Sequence, residues 1–219
     1  MNLVIDTSSE QLIVLLQDKD KIYTNSNTNS KHLEHLLPQI DKVLSDAQKK
    51  LSDIKTFCVV VGPGSFTGVR IGVATVKAFM QNSKAKILPI DMLEFLHFIV
   101  CKNKTIKSDF CILIKSTSTK FYALFSNKNG EILKKQMITI EEIKSLQNYQ
   151  IFTYRNCLCE NEEIKNLVVS HNDYIEYVEY LKSNKKYVTE ADLKPIYMAV
   201  SQAEEELAKK ERENCAKNN

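Results

Sequence analysis

The first hundred residues alternate between short apolar runs and one long periodic stripe. Residues 3–5 and 12–16 are apolar runs separated by a polar segment, a spacing that predicts a β-hairpin. Between residues 31 and 51 the apolar side chains recur every three or four positions, which predicts an amphipathic helix. Pro38 lies inside this stripe, so either the helix kinks there or its regular part begins there.

A further strand and a second helix flank a cluster of glycines. Residues 57–61 form a continuous apolar run, typical of a strand that is covered by helices on both faces. The twelve residues 61–72, VGPGSFTGVRIG, then contain four of the chain's five glycines. Residues 67–82 have helical periodicity, and further along the chain residues 86–90 predict a strand. The pattern therefore predicts an α/β lobe.

A second, smaller lobe is predicted from the strand pattern after the first hundred residues. Three segments at 110–114, 120–126 and 131–138 are predicted to be strands, and the last two are joined by a turn that contains Gly130. Beyond them the pattern weakens to short helix signals, at Thr139 and Thr189 and over 173–183, and to a charged, helix-prone tail from Ser201. We therefore expect one lobe over residues 1–103, and a divergent lobe with a C-terminal helix over 104–219.

Composition limits the classes of function. With 43% hydrophobic and 26% charged residues, the chain has the composition of a soluble globular protein. The net charge is only +3, and three of the thirty basic residues are arginines, so direct reading of base sequence is disfavoured. No segment has the pattern of a signal peptide or a membrane span, which predicts a cytoplasmic protein. The six scattered cysteines are read as small hydrophobic residues, and no metal site is expected.

The glycine cluster has the form of an anion-binding turn without the known signatures. A glycine-rich turn between a strand and a helix can hold a phosphate on backbone N–H groups. Thr67, however, stands where both the Walker A motif and the dinucleotide fingerprint require glycine. A tight turn alone would explain Gly62 and Gly64.

Gly68 and Gly72 need a different explanation. They stand four residues apart inside the predicted helix, where each costs about 1 kcal/mol relative to alanine. Because they remove side chains from one face, which Thr75 and Phe79 continue, we predict that another helix docks there, from this chain or from a partner. Arg70 lies in the first turn and opposes the helix dipole, which predicts a carboxylate or another anion beside it.

These residues resemble the bacterial TsaB family, also called YeaZ, a component of the machinery that makes threonylcarbamoyladenosine in tRNA. The resemblance covers about residues 1–98, with a weaker echo at Pro195-Ile196-Tyr197. It rests on Val4-Ile5-Asp6-Thr7, on His32 with Leu36-Leu37-Pro38, and above all on residues 62–72.

The resemblance implies a fold and a catalytic state. The family's fold is the two-lobed actin-like ATPase (ASKHA) architecture, with mixed sheets flanked by helices. TsaB is similar to TsaD, the sister protein of the M22 glycoprotease-like superfamily that carries the catalytic metal and transfers the threonylcarbamoyl group. The two metal-binding histidines of TsaD correspond in rough register to Met92 and Leu96 here. The resemblance therefore implies a catalytically silent relative without a metal.

The resemblance also implies partners. It predicts a scaffold for the modification of ANN-decoding tRNAs that binds TsaD as a heterodimer through two first-lobe helices and acts together with TsaE. The same face could also form a homodimer when TsaD is absent, and the sequence leaves homodimer and monomer open; contact with tRNA is expected to be indirect or weak. The predicted partner interface consists of His32, His35, Leu36, Gln39, Ile40, Val43, Gly68, Arg70, Ile71, Gly72, Thr75 and Phe79.

A stand-alone actin-fold ATPase or small-molecule kinase is the alternative function. The actin-like fold would place a nucleotide, ATP or ADP, beside Asp6, Thr7, Gly62, Gly64 and Ser65. Two departures from the family weaken this expectation. Lys115-Ser116-Thr117 replaces an Asp-Ala-Arg run, and Ala199 replaces an arginine. His32 and His35, one helical turn apart, are predicted to face solvent or a partner.

Overall fold

The computed structural model describes residues 1–27, 31–103, 106–155, 158 and 164–198. They form two five-stranded sheets and five α-helices. The strands are β1 (Asn2–Asp6), β2 (Leu12–Asp18), β3 (Lys21–Asn27), β4 (Thr56–Gly62), β5 (Lys86–Asp91), β6 (Phe110–Lys115), β7 (Lys120–Ser126), β8 (Ile132–Thr139), β9 (Gln150–Tyr154) and β10 (Ile164–Leu167). The helices are α1 (His32–Asp46), α2 (Phe66–Met80), α3 (Met92–Lys102), α4 (Ile140–Lys144) and α5 (His171–Ser183).

The two sheets repeat one topology. In the first sheet the order is β3-β2-β1-β4-β5, with β1 to β3 antiparallel and β4 and β5 parallel to β1. The second sheet has the order β8-β7-β6-β9-β10 with the same directions. This pair of sheets, each flanked by helices, is the two-lobed actin-like arrangement, so the predicted fold class is confirmed.

Strand alternation divides the helices into three layers. On β1, Leu3 and Ile5 point towards α1 and α2, whereas Val4 points to the opposite face, where α3 and α5 lie. The helices α3 and α5 also cover the inner face of the second sheet, including Phe110 and Ile112. The short helix α4 packs on the outer face of that sheet.

One hydrophobic core joins the two lobes. The ring of Phe95 on α3 lies 4.5 Å from that of Tyr174 and 5.1 Å from that of Tyr177, both on α5, and all three side chains are buried. This core reaches both sheets without interruption. Along the chain, the predicted lobe boundary at residues 103 and 104 falls after the last strand of the first sheet and before the first strand of the second. It stays a prediction, because the hydrophobic core continues from one lobe into the other.

The predicted elements of the first lobe are confirmed, with changed bounds. The helix predicted over 31–51 ends at Asp46, and Gln48 then takes a left-handed conformation with φ of 54°. Pro38 lies inside α1, so the option that regular helix begins at that residue is wrong. None of the described helices is long and apolar enough to cross a membrane.

The second lobe contains two strands that the sequence analysis missed. β9 is short, and β10 is an edge strand whose residues are only partly covered, so neither has a strong apolar pattern. The helix start predicted at Thr139 is confirmed by a reciprocal capping box with Glu142. Thr189 instead begins a non-helical turn, closed by a hydrogen bond from its hydroxyl to Asp192. The tail from Ser201 and Ala199 lie outside the described residues.

Candidate functional site

The C-terminal ends of β1 and β4 bring the predicted nucleotide-binding residues together at one edge of the first sheet. Asp6 ends β1, and Gly62 ends β4. The turn that follows Gly62 lies against the segment after β1, because the N–H of Ser65 donates to the carbonyl oxygen of Ser8 over 2.6 Å. The hydroxyl oxygen of Ser65 then caps α2 by accepting from the N–H of Gly68 over 3.2 Å.

The carboxylate of Asp6 is engaged by the protein's own donors. It is fully buried, and its Oδ1 accepts from the backbone N–H of Ser8 over 2.8 Å and from the Ser8 hydroxyl over 2.6 Å. Its Oδ2 accepts from the hydroxyl of Tyr174 over 2.5 Å. Asp6 therefore ties the edge of the first sheet to α5.

Burial keeps the Tyr174 hydroxyl in its donor form. Removal from solvent, followed in importance by the nearby charge of Asp6, raises the pKa of Tyr174 well above its ordinary value. The same two causes raise the pKa of Tyr154, which Arg155 opposes. Tyr174 therefore remains protonated at neutral pH and can donate to Asp6.

The turn after β4 is covered on two sides by the chain itself. The N–H of Ile196 donates to the carbonyl oxygen of Val61 over 2.7 Å, and the Ile196 carbonyl lies 3.0 Å from where a Cβ on Gly62 would stand. On the other side, a Cβ on Gly64 would overlap the backbone of Ser8. The turn is therefore held in place by packing against its neighbours.

Gly68 and Gly72 face the protein's own first strand, so the prediction that they make room for a docking helix is wrong. A Cβ on Gly68 would overlap the carbonyl oxygen of Thr7. A Cβ on Gly72 would lie 2.6 Å from the Thr7 Oγ1 and 3.3 Å from a methyl carbon of Val59. Both glycines are buried, and they allow the backbone of α2 to approach the end of β1.

Most of the predicted partner interface faces the interior of the protein. The apolar stripe of α1 packs on the first sheet, so its residues belong to the hydrophobic core. His32 is buried as well, with Nε2 2.5 Å from the carbonyl oxygen of Ser9, and its predicted outward orientation is wrong. Seven members are buried by their own chain and cannot be surface contacts in this structure: His32, Leu36, Gln39, Ile40, Val43, Gly68 and Gly72.

The remaining members lie at or near the surface. His35, Ile71, Thr75 and Phe79 are half-buried, and Arg70 is exposed. The anion predicted beside Arg70 is not present among the described residues. Its guanidinium carbon instead lies 3.6 Å from the ring centre of Phe66, and its Nε donates to the hydroxyl oxygen of Tyr197 over 2.9 Å.

The exposed side of α1 and α2 carries apolar residues that the sequence analysis did not select. Leu33 and Leu37 on α1 are 77% and 53% exposed, and Phe66 on α2 is 47% exposed. Ala74 and Ala78 are exposed further along α2. We call these five residues the outer helix surface. The i, i+4 spacing of Leu33 with Leu37 could have indicated it.

An ion cluster between the lobes was also missed. The Nζ of Lys135 on β8 lies 2.7 Å from Oδ2 of Asp91 and 2.6 Å from Oε1 of Glu94. Burial raises the pKa of Asp91 although Lys135 opposes the shift. Burial alone would lower the pKa of Lys135, but the two carboxylates raise it overall. The cluster links β8 of the second sheet to β5 of the first sheet and to α3.

A histidine and a cysteine on α3 lie beside this cluster. The Nε2 of His97 is 3.1 Å from the Ser126 hydroxyl and 3.5 Å from the sulfur of Cys101. Burial lowers the pKa of His97 and raises that of Cys101, so the thiol is held in its weakly nucleophilic form. The spacing of four residues on one helix was the signal for this pair.

The positions matched to the metal-binding histidines are apolar core residues. Met92 and Leu96 are 1% and 0% exposed on the inner face of α3. Within the described ranges, no group of three or more His, Cys, Asp or Glu side chains could hold a metal ion.

The chain matches a family of known proteins over most of its length. A family model described as TsaD, tRNA N6-adenosine threonylcarbamoyltransferase, matches residues 24–214. The chain belongs to the TsaD family. Relatives in the family include proteins named TsaB, the tRNA threonylcarbamoyladenosine biosynthesis protein, so the resemblance to TsaB is confirmed.

The resemblance in sequence covers part of each relative. TsaB of Haemophilus influenzae is 32% identical over 92 residues, which are 42% of this chain and 39% of that protein. TsaB of Buchnera aphidicola from Schizaphis graminum is 36% identical over 95 residues, 43% of this chain and 45% of that protein. The matched region thus spans less than half the length of these TsaD-family relatives.

Solved structures show that the fold continues through the second lobe. YeaZ from Pseudomonas aeruginosa superposes with a TM-score of 0.67 at 18% identity, covering 89% of this chain and 99% of that one. A Pseudomonas aeruginosa protein with similarity to the peptidase YEAZ gives a TM-score of 0.72, also at 18% identity, covering 90% and 99%. The TsaD-family chain described here therefore shares their whole fold.

The close approach of α2 to Thr7 predicts an inverted effect of a common substitution. Gly68→Ala inside a helix would ordinarily stabilise by about 1 kcal/mol. Here we expect it to destabilise by roughly 1 to 3 kcal/mol, because the new Cβ overlaps the Thr7 carbonyl. Urea unfolding measures the difference. Ala78→Gly, on the exposed side of α2, is the control and should destabilise by about 1 kcal/mol. A more stable Gly68→Ala variant would contradict the packing.

The hydrogen bond to Asp6 predicts a stability loss in Tyr174→Phe. We expect about 1 to 3 kcal/mol, because a buried carboxylate loses a donor, whereas Tyr180→Phe at a 47% exposed ring should change little.

The hydrogen bond to Asp6 also predicts a pH dependence. Because the pKa of Tyr174 is raised in the folded state, its protonated form stabilises the fold, and this stability is lost as pH rises above about 10. Above that pH, the free energy of unfolding should therefore fall less in Tyr174→Phe than in the wild-type protein. Equal losses in the wild type and in Tyr174→Phe would refute the hydrogen bond.

Proposed function

We propose that this protein is a non-catalytic subunit in the threonylcarbamoyladenosine modification of ANN-decoding tRNAs. In this role it binds TsaD through the outer helix surface and supports the activity of TsaD together with TsaE. Membership of the TsaD family and the relatives named TsaB support the pathway. Biosynthesis of a tRNA modification also favours a cytoplasmic location.

The outer helix surface is the observation that carries the proposed docking. Its apolar side chains are exposed, although Arg70 and Tyr197 cover part of the Phe66 ring, and the inner stripes of α1 and α2 are already buried on the first sheet. Leu33, Leu37 and Phe66 can supply buried area to a partner, because large apolar side chains dominate interface energies. Ala74 and Ala78 are small and allow another helix to approach α2 closely. Two adjacent helices present a groove into which a partner's helices can pack.

Two side chains of α3 support the proposal that this protein is not catalytic. A thioether and a hydrocarbon side chain, Met92 and Leu96, take the positions matched to metal-binding histidines and are packed in the core. A hard metal ion requires oxygen or imidazole ligands, which these two positions do not offer. The transfer chemistry is accordingly assigned to TsaD.

A stand-alone ATPase or small-molecule kinase remains the second candidate, because Asp6 and the turn from Gly62 to Ser65 do lie together at the C-terminal edge of the first sheet. Ligands of α/β sheets commonly bind at that edge. The contacts of Asp6 oppose this candidate. Both of its carboxylate oxygens already accept hydrogen bonds within the chain, and Tyr174 covers one of them.

The docking proposal predicts that Leu37→Asp weakens binding to the cognate TsaD by about 30-fold or more, because a charge enters the centre of an apolar contact. Leu133→Asp is the matched control: Leu133 is also 53% exposed but lies on β8 of the second lobe. Calorimetric titration and gel filtration measure binding, and thermal unfolding checks the fold. Unchanged affinity in Leu37→Asp, or an equal loss in Leu133→Asp, would refute the docking surface.

The two candidates differ in their response to nucleotide. For a non-catalytic subunit we expect no saturable heat when the purified full chain is titrated with ATP and magnesium, and no phosphate release. The reason is that Asp6 keeps its internal partners. Tyr174→Phe is titrated in the same way, since this variant removes one of the hydrogen-bond partners of Asp6 without adding charge. Saturable binding and turnover by the wild-type chain alone would favour the ATPase or kinase.

A further inference from the structure

Four segments of the chain meet at the edge of the first sheet opposite Asp6. The N–H of Lys55, before β4, donates to the carbonyl oxygen of Met1 over 3.0 Å, and the N–H of Lys86 donates to the Lys55 carbonyl over 2.9 Å. The N–H of Val188, after α5, donates to the carbonyl oxygen of Ile87 over 3.1 Å. The β2–β3 turn belongs to the same edge, because Gln17 pairs with Asn2. This edge therefore joins segments that are far apart in sequence.

Every one of these segments carries lysines. Segments 18–21, 47–55, 81–86 and 183–187 together contain nine lysines and three aspartates, a net charge of +6, whereas the whole chain carries only +3. The rest of the molecule is therefore net negative. We call the nine lysines the basic edge: Lys19, Lys21, Lys49, Lys50, Lys55, Lys84, Lys86, Lys185 and Lys186.

The basic edge is largely free of neutralising partners. Eight of its lysines are exposed. Lys49 is half-buried and pairs with Asp18 over 3.2 Å, and it is the one member whose amine has a carboxylate partner among the described residues. The carboxylate of Asp53 accepts a hydrogen bond from the backbone N–H of Lys50 over 2.9 Å. The amine of Lys86 lies 4.6 Å from the ring centre of Tyr187. Like charges gathered in this way repel one another and attract a polyanion.

We propose that the basic edge binds the phosphate backbone of RNA. Its cations are all lysines, which act as point charges towards phosphates and lack the planar fork suited to reading guanine. Binding of this kind positions an RNA without reading its sequence. Tyr187 adds a half-exposed aromatic ring, a side chain on which bases can stack. That the RNA is a tRNA rests on the proposed function.

An RNA fits this surface better than a membrane or an acidic protein does. Surface binding to a membrane combines positive charge with apolar side chains that enter the lipid, and no large apolar side chain within the described segments of the basic edge is exposed. An acidic protein would need carboxylates matched to lysines on four separate segments. A phosphate backbone instead offers a charge at every nucleotide.

The position of the basic edge is compatible with simultaneous docking. The helices α1 and α2 start near the edge that contains Asp6 and end towards the basic edge. None of the nine lysines belongs to the outer helix surface, so the proposed docking site and the basic edge share no residue. This proposal differs from the indirect or weak tRNA contact expected at the level of sequence, because folding concentrates lysines that are dispersed along the chain.

The test compares two triple variants with the same change in net charge. The edge variant combines Lys55→Glu, Lys84→Glu and Lys186→Glu, and the control combines Lys115→Glu, Lys128→Glu and Lys144→Glu, which are exposed in the second lobe. Fluorescence anisotropy with a labelled, unmodified tRNA transcript is measured with the full chain at several salt concentrations. We expect the edge variant to bind at least about tenfold more weakly and to lower the salt slope by about three, since three phosphate contacts are lost.

Three outcomes would overturn the proposal. They are unchanged tRNA affinity in the edge variant, an equal loss in the control variant, and binding of the wild-type chain to phosphatidylserine vesicles but not to tRNA. Gel filtration with TsaD separates this proposal from the docking proposal, because the edge variant should still pair with TsaD. A loss of TsaD pairing in Leu37→Asp together with normal tRNA binding would support both proposals independently.

Discussion

The close approach of α2 to the end of β1 is the contact on which much of the first lobe depends. Gly68 and Gly72 bring the helix backbone against Thr7, which places the turn after β4 beside Ser8 and sets the height of α2 above the sheet. Val69, Val73 and Val76 lie on the same side of α2 as the two glycines and reach the core, while Phe66 and Ala74 lie on the other side and stay exposed. A glycine pair thus determines which apolar side chains remain uncovered.

The two edges of the first sheet have opposite electrostatic roles. At the C-terminal edge the carboxylate of Asp6 is buried and satisfied by Ser8 and Tyr174, and Asp91 at the end of β5 pairs with Lys135. At the opposite edge the charges are numerous, positive and exposed. The edge at which an actin-like protein would hold a nucleotide is thereby occupied by an internal contact, whereas the proposed ligand contacts lie on the outer helices and at the basic edge.

Apolar periodicity was sufficient to predict the first lobe, because its strands and helices bury complete stripes. It could not tell whether a space is filled by the chain itself or by a partner. The helix pattern leaves open whether Gly68 and Gly72 face this chain or a partner. The resemblance predicts both glycines and Leu36 in a partner interface, whereas all three are buried by the chain itself. The strands β9 and β10 were missed because they are short or lie at an edge. A net charge of +3 for the whole chain cannot indicate the basic edge, because its lysines come together only when folding brings the connections between strands to one place.

The shared layer of α3 and α5 has a consequence for the second lobe. These two helices give each sheet one of its covers, so either sheet without the other would leave the opposite side of Phe95, Tyr174 and Val178 bare. The second lobe can therefore diverge in its surface residues while it keeps the inward-facing positions of its strands. No ligand of the second lobe is needed to explain why the protein keeps this lobe. The lobe shields the apolar layer of α3 and α5, which would otherwise drive the molecule to aggregate.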